Sequence, residues 1–292
     1  MTILAPPPAP DGDLPLTEAD FTRIARIARA GWGLSLESAK QPLIRSRLGR
    51  RVRALKLAGF DAYCDLVESG DAAEIDHFVS ALTTNVTHFY REAHHFEMLE
   101  STILPPILDA ARQGRRVRLW SAGCSTGQEA YSLAASVLAV APDAARLDLR
   151  ILGTDIDPLV LQAAQRGVYD AKICTFPNPA LEGRIFARGD GEGERSVRAE
   201  LKALVTFRHL NLVQPWPISG RFDVILCRNV VIYFDKPTQR HLWSRFAEVL
   251  HPGGWLLIGH SERIAEPAEI GLGTAGITTY RRAGTLPGKA LT

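Results

Sequence analysis

Apolar positions recur every three or four residues through the first third of the chain, a spacing that predicts helices. Phe21, Ile24 and Ile27 show it directly after Thr17 and Asp20, a pair typical of a capping box. Later helices are predicted over residues 38–57, 61–69, 73–82 and 92–104, with Pro105-Pro106 ending the last one. The pattern therefore indicates a helical domain over residues 14–90 and a linker helix over 91–110.

From residue 117 onwards, short apolar runs alternate with helical segments. Strands are predicted over 117–121, 148–154, 222–227 and 255–259, and helices over 129–140, 158–166 and 237–249. Strands separated by helices of this length imply parallel βαβ units, so the fold class over residues 111–285 is α/β. Residues 184–188 and 195–199 flank a glycine-rich turn, and we predict an inserted β-hairpin over about 184–199.

Composition narrows the class of protein. A length of 292 residues allows two cores, with a disordered tail expected at 1–13 and a short tail at 286–292. No apolar run reaches the ~18 residues that span a bilayer, and a secretory signal pattern is absent. The four cysteines are scattered, so the sequence indicates neither a disulfide framework nor a zinc site. We expect a cytoplasmic protein without membrane insertion.

The net charge of +2 conceals a strongly basic segment. Between Phe21 and Lys56 the chain has ten arginines and lysines, opposed only by Glu37. Such a concentration of positive charge favours an acidic protein surface or a nucleic acid as partner.

A candidate binding site follows the first predicted strand. Gly123-Cys-Ser-Thr-Gly127 forms a small-residue loop there, and Asp155 directly follows the next strand. This order is used for nucleoside cofactors, because glycines let the backbone approach the ligand and the carboxylate accepts hydrogen bonds from ribose. Ser125 replaces the middle glycine of a pyrophosphate fingerprint, which favours S-adenosylmethionine, a nucleoside without phosphate. A tight β-α turn without ligand remains the alternative.

Two further polar clusters stand at the ends of predicted elements. Residues 83–92 combine hydroxyl, amide, aromatic and guanidinium groups, although a helix junction capped by Asn85 or Thr87 would have the same composition. Arg228-Asn229 follows a strand of apolar residues, with Tyr233 nearby. These side chains would meet a ligand at the carboxyl edge of the sheet, or Arg228 would pair with an acid and Tyr233 would be a core aromatic.

Two histidine motifs carry less weight. His94-His95 does not predict a metal site, because adjacent helical residues face different ways. His260-Ser261-Glu262 has the residue types of a nucleophile system but lacks the strained turn that exposes a nucleophile, so hydrolase chemistry is discounted.

Taken together, these motifs resemble those of one family. Segments 83–96, 120–129, 153–157, 227–229, 233–235 and 259–262 occur in the order found in CheR-type chemotaxis receptor methyltransferases, and the resemblance extends from about residue 16 to 282. Gln128 and Ala130 depart from the Glu and Pro of many members, and we expect them to alter loop stiffness without loss of activity.

The resemblance implies a Rossmann-like class I S-adenosylmethionine-dependent sheet with an N-terminal helical domain. It further implies methylation of glutamates on chemoreceptor cytoplasmic helices, with S-adenosyl-L-homocysteine as product, by a monomer without metal. The expected cofactor contacts are Asn85, Thr87, Arg91, Gly123, Glu129, Asp155, Asn211, Leu212, Arg228 and Asn229. Arg91 and Tyr233 would border the transferred methyl group, and Arg47, Arg50, Arg51 and Arg53 would meet the receptor helices. The hairpin matches a subdomain that, in some members, grips a peptide at the C-terminal end of the receptor.

Two other functions remain open from the sequence. A cofactor-binding adaptor would dock on receptors without turnover, although the complete set of pocket residues argues against it. A nucleic-acid methyltransferase would explain the basic segment. However, Cys227-Arg-Asn-Val is not the Asp/Asn-Pro-Pro-aromatic strand end expected for base methylation, and the basic helix lacks interleaved aromatics, so we expect no nucleic-acid partner.

Overall fold

The computed structural model describes residues 14–172, 174–187 and 193–284, and the expected tails at 1–13 and 286–292 lie outside this range. The described chain forms two compact units. The first comprises the residues up to Thr84 together with 157–159 and 233–235, and the second comprises 85–156, 160–232 and 236 onwards. Among the described residues, no helix is both long and apolar enough to cross a membrane.

The first unit is helical, and its elements follow the predicted apolar spacing. It contains α1 (Glu18–Trp32), α2 (Gln41–Ala54), α3 (Phe60–Glu68) and α4 (Ala72–Leu82). The capping box of Thr17 and Asp20 is confirmed, and Gly33 ends α1 with φ 69°. Leu48 and Phe78 are fully buried in the shared core of these helices.

Much of the positive charge of α1 is neutralised within this unit. Arg23 forms ion pairs with Asp61, Asp65 and Glu68, all on α3, and Arg26 pairs with Glu68. The count of charges along the sequence missed this, because the acids of α3 follow the basic segment in the chain but pack beside it in the fold.

The second unit is built on a seven-stranded sheet. Its helices are α5 (Ala93–Met98), α6 (Leu104–Arg112), α7 (Gln128–Val140), α8 (Pro158–Arg166), α9 (Glu182–Ile185), α10 (Ala199–Leu204) and α11 (Lys236–Val249), although the first residues of α8 group with the helical unit. Its strands are β1 (Val117–Ala122), β2 (Leu149–Asp155), β3 (Val168–Asp170), β4 (Glu194–Ser196), β5 (Val205–His209), β6 (Phe222–Cys227), β7 (Leu250–Ile258), β8 (Leu272–Gly276) and β9 (Thr279–Arg282).

The order of the large sheet is β5-β2-β1-β6-β7-β9-β8, which confirms the α/β class. The first five of these strands are parallel, whereas β9 and β8 pair antiparallel at one edge. Strands β5, β8 and β9 were not predicted. The carboxyl ends of β1, β2, β5, β6 and β7 share one edge of the sheet, where ligands bind in folds of this kind.

The predicted end of the linker helix at Pro105-Pro106 is wrong. A π-helical turn at Leu99–Ile103 follows α5, and α6 begins at Leu104 with the two prolines in its first turn. Proline is tolerated there because the first N–H groups of a helix have no partner within the helix.

The inserted hairpin also differs from the prediction. β4 pairs antiparallel with β3, and the predicted first arm is helical as far as Ile185, joining Val197 only through an isolated bridge at Phe186. The small antiparallel insertion is therefore present, but its partner strand precedes the predicted segment. Turn residues 188–192 lie outside the described range.

Candidate functional site

The loop after β1 takes the conformation that its small residues allow. Gly123, Ser125 and Gly127 have φ of 80°, 50° and 97°, and a side chain on Gly123 would overlap Val230. The amides of Gly123 and Cys124 both donate to the Thr154 carbonyl at 2.8 Å. The loop is thereby tied to the end of β2.

Asp155 terminates β2 and points its carboxylate at this loop. It is 8% exposed, and its Oδ2 accepts the Ser125 N–H at 2.8 Å. Asp155 stands opposite His209 in the β2–β5 ladder, so Asn211 and Leu212, which follow β5, come to the same edge. The predicted set of Asp155, Asn211 and Leu212 is therefore brought together by two neighbouring strands.

The segment before α5 also reaches the loop. Ser125 Oγ donates to the Asn85 carbonyl at 3.0 Å, and Arg91 Nη1 donates to the Val86 carbonyl at 3.0 Å. The alternative of a junction capped by Asn85 or Thr87 is wrong, because α5 begins at Ala93 with Glu92 at its N-cap. Neither Asn85 nor Thr87 is therefore the N-cap residue of α5.

Arg228 lies at the centre of a buried ionic cluster. Its side chain is 1% exposed, with Nη1 3.2 Å from Glu129 Oε2 and Nη2 3.3 Å from Glu92 Oε2, and it donates to the Arg91 carbonyl. Ser121 Oγ also donates to Glu129 at 2.6 Å. The expectation that Arg228 pairs with a nearby acid is confirmed, because one guanidinium offsets two buried carboxylates.

The cluster shifts the ionisation of its acids in opposite directions. Burial raises the pKa of Glu129 despite the nearby guanidinium. For Glu92, burial acts to raise the pKa, but the positive charge of Arg228 and hydrogen bonds from His260 outweigh it and lower the pKa to about 2. Sequence reasoning gave Glu92 no role, and its left-handed φ of 57° is visible only in the fold.

The two adjacent histidines come closer to Glu92 than the sequence implied. One ligand atom each from Glu92, His94 and His95 lie within 4.8 Å of one another. His95 is fully buried, with Nε2 2.9 Å from Thr278 Oγ1, and burial lowers its pKa to about 4. The Glu92 carboxylate already has the positive charge of Arg228 beside it. His95 is neutral at pH 7, because its pKa is about 4.

Asn229 provides the clearest sign of a ligand. It has φ 60°, and no donor in the described part of the chain reaches its buried Oδ1. A buried acceptor without a partner is costly, so a bound molecule with N–H or O–H groups would satisfy it. S-adenosylmethionine carries such donors on its ribose, adenine and ammonium groups, and Asp155 adds a second acceptor at the same sheet edge.

Tyr233 groups with the helical unit. Its hydroxyl donates to the Thr84 carbonyl at 3.3 Å, and Lys40 Nζ lies 5.0 Å from its ring centroid. The ring packs, partly buried, against the core of this unit, as the core-aromatic alternative predicted. Its proposed place beside the transferred methyl group remains a prediction.

The four arginines predicted to bind receptor helices divide into two pairs. Arg47 donates to the carbonyls of Ala81 and Thr83, and Arg51 pairs with Glu74, whose side chain is 6% exposed. Arg50 and Arg53 are exposed. The first pair therefore joins α2 to both ends of α4, and the second pair faces solvent.

The parallel sheet, the glycine loop after β1 and the acid at the end of β2 form the arrangement that holds nucleoside cofactors. A match to a SAM-binding domain model places the chain among the S-adenosylmethionine-dependent methyltransferases. A model of the CheR methyltransferase all-alpha domain matches residues 19–83, and one of the CheR methyltransferase SAM-binding domain matches residues 85–277.

Named relatives agree with both models. The chain is 48% identical over 252 residues to a probable chemotaxis protein methyltransferase of Rhizobium etli, covering 85% of this chain and 94% of that protein. It is 40% identical over 257 residues to the chemotaxis protein methyltransferase of Klebsiella aerogenes, covering 87% and 86%. It is 40% identical over 272 residues to chemotaxis protein methyltransferase 2 of Pseudomonas aeruginosa, covering 90% and 93%. The chain therefore belongs to the CheR methyltransferase family.

Proposed function

We propose that this protein transfers a methyl group from S-adenosylmethionine to glutamate side chains on the cytoplasmic helices of chemoreceptors, forming methyl esters. The observation that carries the proposal is the buried Oδ1 of Asn229, which has no hydrogen-bond partner among the described residues and follows a strand of the same parallel sheet in which β2 ends at Asp155. Both CheR domain models match this chain. The substrate would place the reaction in the cytoplasm.

The proposed reaction does not require the protein to transfer a proton. S-adenosylmethionine supplies a methyl group on a cationic sulfur, and a glutamate with a reference pKa of ~4.3 is already an ionised nucleophile at neutral pH. No general base is required. The task of the chain is to align the reacting atoms and exclude water, which can contribute up to ~7–11 kcal/mol.

The roles of individual residues follow from their chemistry and from the family resemblance. Asp155 accepts hydrogen bonds from the ribose hydroxyls, and Asn229 Oδ1 accepts one from another donor of the ligand. Arg91 orients the reacting groups through an off-line contact, and Tyr233 fixes their geometry by hydrogen bonding. The remaining pocket positions are Asn85, Thr87, Gly123, Glu129, Asn211, Leu212 and Arg228.

Receptor contact would use the solvent-facing side of α2. Arg50 and Arg53 are exposed and suit acidic helices. Peptide docking at the antiparallel insertion is a further proposal from the resemblance. Esterification removes one negative charge per site, and packing between receptor helices would shift in response.

Methyl transfer from labelled S-adenosylmethionine to a chemoreceptor cytoplasmic fragment tests the proposal. We expect label that alkali releases as methanol, because carboxyl methyl esters are base-labile. Asp155→Ala is the binding-deficient comparison, and a receptor fragment with its acceptor glutamates replaced by glutamine controls for the site. Cofactor binding without transfer to any receptor fragment would instead favour the adaptor.

A further inference from the structure

A buried carboxyl group that the proposed reaction does not use lies between the ends of β6 and β7. Glu262 is 5% exposed. Its Oε1 accepts the N–H groups of Val230 and Val231 at 2.8 and 3.0 Å, and its Oε2 accepts that of Gly259 at 2.6 Å. Glu262 therefore joins the loop that follows β6 to the residue that follows β7.

This junction encloses Asn229. Asn229 has a left-handed backbone with φ 60°, a conformation that asparagine tolerates better than most residues other than glycine. Gly259 packs directly against it, because a Cβ on Gly259 would lie 2.6 Å from Asn229 N and 2.7 Å from Asn229 Nδ2. Glu262 binds the amide of Gly259 on one side of this contact and the two amides that follow Asn229 on the other.

We propose that Glu262 is a positioning residue for the S-adenosylmethionine site, which clamps Gly259 against Asn229 and so keeps the Asn229 carboxamide oxygen available to a donor of the ligand. The inference rests on the proposed function, since it requires Asn229 to contact S-adenosylmethionine. It gives a role to the segment 259–262, which the proposed reaction leaves unexplained.

Glu262→Gln tests the clamp with almost no change in side-chain size. Glutamine replaces one acceptor oxygen by an NH₂ group, which would face a backbone N–H donor. Because one backbone N–H would lose its acceptor and the contact between Gly259 and Asn229 would loosen, we expect the Kd for S-adenosylmethionine, measured by calorimetry, to rise about tenfold. The kcat at saturating cofactor should stay within about twofold, because the reacting groups are untouched. Glu266→Gln, at an exposed position of the same loop, should leave the Kd within about twofold.

A double-mutant cycle separates positioning from a general structural role. If Glu262 acts through Asn229, adding Glu262→Gln to Asn229→Ala should change the Kd by less than about twofold. An equal loss of affinity in both backgrounds would overturn the inference. If Glu262→Gln does not fold at the assay temperature, as judged by circular dichroism, Gly259→Ala replaces it, because it disturbs the same contact from the other side.

The cycle also distinguishes this inference from the proposed function. A wild-type protein that does not bind S-adenosylmethionine would overturn both. Binding by the wild type with an unchanged Kd in Glu262→Gln would overturn only the role of Glu262.

Discussion

Individual side chains at the site differ in how their charges and polar atoms are paired within the protein. Arg228 offsets Glu92 and Glu129 in a setting where an unpaired charge would be costly. Asn229 instead keeps a buried oxygen without a partner among the residues that the structure describes. Arg228 therefore balances the charge of the two acids, whereas Asn229 and Asp155 are the proposed hydrogen-bond acceptors for a ligand.

The lowered pKa of Glu92 predicts a loss of stability in acid. Its folded pKa of about 2 is below the unfolded value, so its contribution is present above pH ~4.5 and is lost as the pH falls towards 2. Between pH 5.5 and 3, we expect the wild type to lose about 1 kcal/mol more unfolding free energy than Glu92→Gln. Urea unfolding over a pH series measures this difference.

Glu97→Gln serves as the matched control, because Glu97 is an exposed carboxylate on the same helix. Its pH dependence should follow that of the wild type. Identical acid curves for the wild type and Glu92→Gln would contradict the assignment.

Helix α2 shows how one element can serve two purposes. Its two inner arginines bind α4, one through Glu74 in the first turn and the other through two backbone carbonyls at the end, whereas Arg50 and Arg53 face solvent. The sequence presents all of them as one basic run. The helix is thus basic both for the stability of its own unit and, in the proposed function, for docking.

Replacing Arg51 and Arg50 separately should resolve these purposes. Arg51→Gln leaves the carboxylate of Glu74 buried without its ion pair, and we expect a loss of about 2–3 kcal/mol of unfolding free energy in urea. Arg50→Gln should cost less than about 0.5 kcal/mol, because it is a surface change.

Receptor methylation should show the docking role of Arg50 through the KM for the receptor fragment. Arg50→Gln should raise the KM for the receptor fragment and reduce the salt dependence of the rate, because it removes a solvent-facing charge. An unchanged KM in Arg50→Gln would contradict docking through this face.

In the α/β unit as a whole, the sheet order collects groups from distant parts of the chain. Placing β1 between β2 and β6 brings the loop after β1 beside both Asp155 and Val230. Glu129 and Arg228 meet although 99 residues separate them. The site is therefore a property of the parallel sheet, and ligand binding should stabilise the fold that assembles it.

S-adenosylmethionine should raise the unfolding temperature by mass action. At about 100 times the Kd, linkage predicts ~2.7 kcal/mol of added stability, or several degrees in Tm. Asp155→Ala should show little shift at the same concentration, because it removes the proposed acceptor for the ribose hydroxyls. Asp170→Ala, an exposed change in the same unit, should shift like the wild type, and an equal shift in Asp155→Ala would contradict its role.

The sequence was sufficient to predict most helices and the core strands of the sheet. Apolar periodicity and local signals such as the Thr17 capping box depend on neighbours a few residues away, so they can be read along the chain. The α/β class, the glycine loop after β1 and the position of Asp155 after the next apolar run could be predicted for the same reason. The prolines at 105–106 misled the prediction, because a helix start and a helix end both accommodate proline.

Only the tertiary structure determined which residues pair with one another. Four contacts join residues that are distant in the sequence: the ion pair of Glu92 with Arg228, the neutralisation of Arg23 by α3, the pairing of β3 with β4 and the hydrogen bonds that Glu262 accepts after β6. Ion pairs and buried hydrogen bonds depend on distance and burial in three dimensions, and local periodicity carries no information about either. Residue types along the chain therefore indicate which chemistry is available, and packing decides which groups are satisfied by the protein and which remain for a ligand.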